Sequence, residues 1–127
     1  MTDILSIAVN AADDKKAHDL VALDISEIAS FAGCFLICTG DSSRQVKAIA
    51  DEIEKKLKLA GIMPSHIEGY QNAEWVLMDY ADLVVHIFSQ DARAYYDLER
   101  LWRDAKKIDT GKLLKPSSMK QKKRTAL

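Results

Sequence analysis

A chain of 127 residues that is 48% apolar, with two Trp, four Tyr and three Phe, can bury one core without metals or disulfides; it is neither wholly disordered nor long enough for two independent cores. No run reaches the roughly 20 apolar residues of a membrane span, and the opening MTDILSIAVNAADDKK has no basic residue ahead of its apolar part, so a cytoplasmic protein is expected. The net charge of −1 conceals a division: residues 1–105 hold 10 Lys and Arg against 18 Asp and Glu, whereas residues 106–127 hold 8 against one. An acidic body complements a basic protein and is repelled by phosphate backbones, while a basic end suits nucleic acid.

Residues 3–18 read as an amphipathic helix, with Ile4, Ile7, Ala8, Ala11 and Ala12 as a narrow apolar stripe. A strand follows at 20–23, and 24–30 is a connection with about one helical turn. The run CFLICT at 34–39 is apolar almost throughout, as in a central strand. Its cysteines, Cys34 and Cys38, would lie about 13 Å apart on one strand, too far to bridge, and read as buried thiols. Next comes the clearest helix, SSRQVKAIADEIEKKLKLAG. Ser42 and Gln45 have capping-box spacing, Val46, Ile49, Ile53, Leu57 and Ala60 form one face, and Gly61 and Pro64 end it. A short strand at 66–69 precedes WVLMDY and LVVHIF, two strands joined by a tight DYAD turn. Helical spacing then runs from 92 to 107 through Tyr95, Leu98, Leu101, Trp102 and Ala105. The expected architecture is α/β, a mixed sheet of about five strands flanked by helices over residues 1–108, followed by a basic, flexible tail over 109–127.

Candidate chemistry is sparse. Gly40, Asp41 and Ser42 stand where a strand turns into a helix, a place where amides receive phosphate, and Asp79 and Asp82 flank the hairpin turn as a possible Mg²⁺ pair. Nucleotidyltransferases carry a similar turn, but their carboxylates alternate along one strand, whereas these two are three residues apart across a turn. No P-loop, dinucleotide fingerprint or zinc pattern occurs, and no serine has an evident base. The expectation is a binding protein without cofactor or metal, with a metal-dependent nucleotidyltransferase-like enzyme as the alternative. His86, inside a strand, reads as a hydrogen-bonded structural residue, and Asp24 and Glu27 as loop and cap residues.

The aromatic residues are more informative. Alternation places Trp75, Leu77 and Asp79 on one face of their strand and Val76, Met78 and Tyr80 on the other. Trp, Tyr, Met and Arg are the types that carry interface energy. Arg44, in the first turn of the central helix, is badly placed for the helix dipole and calls for a carboxylate or a partner to hold it.

The segments DLVALDISEIASFAGCFLICTGDSSRQVKAIADEIEKKL and EGYQNAEWVLMDYADLVVHIFSQDARAYYDLERLW closely resemble the ribosomal silencing factor family, which is Iojap-related, over roughly residues 3–105. The resemblance implies a nucleotidyltransferase-like sheet without nucleotidyl transfer. It implies binding to the large ribosomal subunit through a conserved basic ribosomal protein on the intersubunit face, sterically blocking the small subunit when nutrients are scarce. Late assembly of the large subunit and homodimers are further family traits. The family's hairpin pattern is kept at Trp75, Met78, Asp79, Tyr80 and Asp82, which with Arg44 form the expected partner-binding set. Met78 stands for a more usual leucine. Ala81 stands for a common glycine, implying a turn without positive φ. The tail is less family-like, and its Lys120, Lys122, Lys123 and Arg124 are candidates for rRNA contact.

Overall fold

A computed structural model describes residues 2–30 and 32–114. In chain order its elements are α1 (Thr2–Asp14), β1 (His18–Asp24), β2 (Cys34–Gly40), α2 (Ser43–Leu59), β3 (His66–Glu68), β4 (Trp75–Asp79), β5 (Leu83–Ser89), α3 (Gln90–Tyr96), α4 (Leu98–Leu101), β6 (Lys106–Ile108) and a 3-10 turn (Thr110–Leu113). The sheet has six strands in the order β3-β4-β5-β2-β1-β6, against the five expected. Among the described residues only β2 and β5 pair in parallel, with Leu36 opposite Val85 and Cys38 opposite Ile87; the other pairs are antiparallel.

The apolar runs explain the order. Every residue of β2 is buried, and β5 is buried up to its last residue, so both must lie inside the sheet with helices on each face. On one face, α1 and α2 cover Leu36, Cys38, Val76, Met78, Val85 and Ile87. Within α2, Val46, Ile49, Ile53 and Leu57 are fully buried, roughly 1.5–3 kcal/mol of transfer free energy each. The other face buries Leu23, Phe35, Ile37, Val84 and Phe88 beneath Ala92 of α3 and Leu98 of α4, a thinner cover.

Both ends of α2 follow the sequence. The Ser42 hydroxyl accepts from the Gln45 amide at 3.1 Å. Gln45 closes the box one residue early, its side-chain oxygen accepting from the Asp41 amide while its Nε2 donates to the carbonyls of Lys15 and Lys16. That second reach ties the start of α2 to the end of α1. α1 itself stops at Asp14 rather than 18, because Lys16 takes a left-handed φ of +62 and Ala17 donates back to the Ala12 carbonyl.

The helix expected over 92–107 is interrupted. Asp97 sits in the left-handed region at φ +46, which Asp tolerates better than most residues. The break turns Leu98 into the core and leaves Tyr95 and Leu101 outside. Residues 106–108 become the edge strand β6 against β1. Beyond it, the 3-10 turn packs on α1, with Ser6 Oγ and Asn10 Nδ2 donating to the Leu113 carbonyl at 3.3 and 2.9 Å. Residues 109–114 therefore belong to the folded body, a correction to the tail expected from residue 109. Lys120, Lys122, Lys123 and Arg124 lie outside the described residues.

Candidate functional site

The six residues expected to meet a partner do not converge. Met78 and Tyr80 point beneath α2, with 0% and 6% exposure, so neither offers its side chain to a partner. This corrects the expectation for both, and the cause is strand alternation: their neighbours Trp75, Leu77 and Asp79 take the outer face. Burial pushes the Tyr80 phenol up to about 12. Arg44 is exposed and has no ion pair among the described residues. It lies beyond the end of β2 that adjoins Trp75, whereas Asp79 and Asp82 lie at the opposite end of the seven-residue β5, about 20 Å away.

The hairpin turn uses its acids locally. Asp79 Oδ1 accepts from the Ala81 amide at 2.9 Å, and Oδ2 is 3.8 Å from His66 Nδ1. The Asp82 carbonyl accepts from the amides of Gly33 and Cys34, each at 3.0 Å, seating the turn on the start of β2. The Asp82 amide donates to the Tyr80 carbonyl across Ala81, whose φ is +70. This corrects the expected turn without positive φ: alanine here occupies a strained three-residue turn.

The proposed phosphate turn is occupied by its own carboxylate. Asp41 Oδ2 is 2.8 Å from His18 Nε2, and Oδ1 accepts from Gln90 Nε2 at 2.9 Å, so negative charge already stands before α2. Asp24 accepts from the hydroxyl and amide of Ser26, which hold its carboxyl below the usual value. Cys34 and Cys38 are buried free thiols, pushed up by burial to about 11 and about 12, and so are poor nucleophiles. No three His, Cys, Asp or Glu side chains group to hold a metal ion among the described residues.

What the outer face does carry is an aromatic surface. Trp75 is half-buried, its ring centroid 5.1 Å from Phe88 and 4.7 Å from Tyr96. Its Nε1–H donates to His86 Nδ1 at 3.1 Å, which fixes the neutral tautomer with the proton on Nε2. Burial lowers the His86 pKa to about 4, and Nε2 has no partner among the described residues. Beside Trp75, Tyr95 is 82% exposed and Tyr96 47%, and Leu101, next to the two tyrosines, is 75% exposed. Tyr95 and Leu101 were missed because an unbroken helical period assigns them to the core, and Tyr96 falls outside that period. An Asp before a second helical start was the available signal.

Arg93 holds this surface to the sheet. Its guanidinium donates to both Glu99 oxygens at 3.1 and 2.8 Å, to Thr39 Oγ1 at 2.8 Å and to the Asp19 carbonyl at 2.7 Å. Those hydrogen bonds from Arg93 hold the Glu99 carboxyl below its usual value. One part-buried side chain thereby links α3, α4, β2 and the bulge in β1.

A family model described as ribosomal silencing factor during starvation matches residues 1–126. The chain belongs to the ribosomal silencing factor family. A ribosomal silencing factor of Halalkalibacterium halodurans is 50% identical over 107 residues, covering 84% of this chain and 92% of that protein. One from Bacillus subtilis is 50% identical over 106 residues, with 84% and 90% covered. A crystal structure from Bacillus halodurans aligns with a TM-score of 0.77 at 47% identity, over 86% of this chain and 99% of that one. The family's function, silencing of the ribosome, requires binding rather than turnover, which fits a face whose prominent groups are aromatic.

Proposed function

We propose that the surface of Trp75, Tyr95, Tyr96 and Leu101 docks this ribosomal silencing factor on a conserved basic ribosomal protein at the intersubunit face of the large subunit. The bulk of the domain then stands where the small subunit would join, and translation falls in nutrient limitation. The observation that carries this reading is a continuous run of exposed apolar side chains, Tyr96 against half-buried Trp75 with Tyr95 and Leu101 beside Tyr96, on a body whose net charge is negative. Such residues are the usual anchors of an interface, and acidic surroundings favour a basic partner. Leu77 and Asp79 continue the same face along β4, with Asp82 and Arg44 as rim charges; Met78 and Tyr80 contribute by packing beneath it.

Four finer readings accompany this one. A second copy meeting the same apolar face accounts for a homodimer away from the ribosome. The basic residues from 109 onward, five of them within 115–127, contact rRNA. The mixed sheet with its strand-to-helix turn at Gly40–Ser42 is nucleotidyltransferase-like, put to binding use. A cytoplasmic location accords with the described residues, in which no helix is long and apolar enough to cross a membrane.

Sedimentation of purified protein with isolated large subunits tests the docking face. Wild type is expected to co-sediment and the Tyr95→Ser, Leu101→Ser double variant to remain free. Equal co-sedimentation of the two would move the contact elsewhere.

A further inference from the structure

The cleft between the start of β4 and α3, about 540 Å³, has a composition that apolar docking alone does not require. Its walls are Trp75, Tyr95 and Tyr96. The Trp75 and Tyr96 rings are 4.7 Å apart and inclined by 49°, and Tyr95 meets Tyr96 edge-on at 5.0 Å and 89°, so ring faces line the space in several planes. Glu74 and Asp91 also line it, both exposed, whereas no Lys, Arg or His does. Neither carboxylate has an ion pair among the described residues. Asp91 serves the first turn of α3, but Glu74 has no helix to complement.

The cleft is also fixed in shape. Gly69, at φ +79, brings its backbone so close to Trp75 that a Cβ would sit 2.1 Å from the Trp75 carbonyl oxygen. The Ala73 amide donates to the Gly69 carbonyl at 3.0 Å, and the Glu74 carbonyl accepts from the Ser89 amide at 2.9 Å. The backbone of Glu74, directly before β4, is thus held to the end of β5.

We infer that this cleft is an acidic aromatic cage for a cationic side chain of the protein partner, best matched by an arginine. A planar guanidinium lies on tryptophan or tyrosine faces through attraction to their negative quadrupole and forms paired hydrogen bonds to carboxylates. The inference rests on the docking reading, to which it adds the chemistry of the group received. Full-length ¹⁵N-labelled protein titrated with N-acetyl-arginine amide tests it, with the citrulline counterpart, isosteric but neutral, as the control. The Trp75 indole N–H resonance should move with arginine and hardly with citrulline. Tyr95→Phe should keep the response, while Tyr95→Leu and the Glu74→Gln, Asp91→Asn pair should each weaken arginine binding about tenfold. All three positions lie at the surface, so folding is not at stake. Equal shifts with citrulline, or an undiminished response in Tyr95→Leu, would overturn the cage. Failure of wild type to co-sediment with large subunits would instead defeat the docking reading, and the titration would still decide the cage.

Discussion

Acidification should unload a defined amount of stability through His86. The imidazole is 4% exposed, accepts from Trp75 through Nδ1, and lies 4.6 Å from Phe35 in an edge contact. Burial lowers its pKa from 6.5 to about 4. Between those values the unfolded chain binds a proton that the folded chain refuses. Stability is therefore complete above pH 6.5 and is lost as the pH falls. At pH 5 the unfolded imidazole is almost fully protonated and the folded one about a tenth so, a loss of about 2 kcal/mol relative to pH 8. The carboxyls of Asp24 and Glu99 are held below their ordinary 3.8 and 4.5, so their own losses come at lower pH. Urea unfolding followed by tryptophan fluorescence at pH 8, 7, 6 and 5 measures the slope. His86→Phe removes the Trp75 acceptor, at about 1 kcal/mol at every pH, but should flatten the curve. Wild type and variant losing equal stability between pH 8 and 5 would refute the argument.

Three substitutions test the backbone and packing claims. Ala81→Gly should relieve the positive φ of the hairpin turn and stabilise by about 1 kcal/mol, seen as a higher Tm; an unchanged or lower Tm would contradict the strain. Gly69→Ala, whose Cβ would meet the Trp75 carbonyl at 2.1 Å, should cost roughly 2 kcal/mol or more in urea unfolding, and a neutral result would mean that the 69–74 loop is not fixed as described. Arg93→Met keeps the apolar stem but removes the bonds to Glu99, Thr39 and the Asp19 carbonyl. It should cost roughly 2–3 kcal/mol and loosen α3 and α4. A change under about 0.5 kcal/mol, within the range of an ordinary surface substitution, would remove Arg93 as their anchor.

The legible parts of the fold were those that repeat a period over many residues. The α2 stripe from Val46 to Leu57, the unbroken apolar run of β2 and the alternation of β4 each state which side is buried. Burial places β2 and β5 inside the sheet, but their parallel pairing comes from the structure. Short elements carried no such signal. β6 is three residues long, two of them exposed lysines, and owes its conformation to the open edge of β1. One αL residue, Asp97, decided the site: its backbone dihedral reversed the roles of Tyr95 and Leu101, and a count of apolar spacings does not contain it. At Met78 and Tyr80 the alternation was visible, but which face looked outward depended on where α1 and α2 packed. Ala81 shows the opposite limit, since the hairpin imposes its φ whether or not a glycine is present.

Subunit joining followed by light scattering at fixed Mg²⁺ tests the central claim most directly. Large subunits preincubated with wild-type protein should fail to join small subunits, while those given the Tyr95→Ser, Leu101→Ser variant should join normally. Normal joining with wild type bound would contradict steric silencing and turn the account towards assembly of the large subunit; equal blocking by both proteins would contradict the aromatic face as its means.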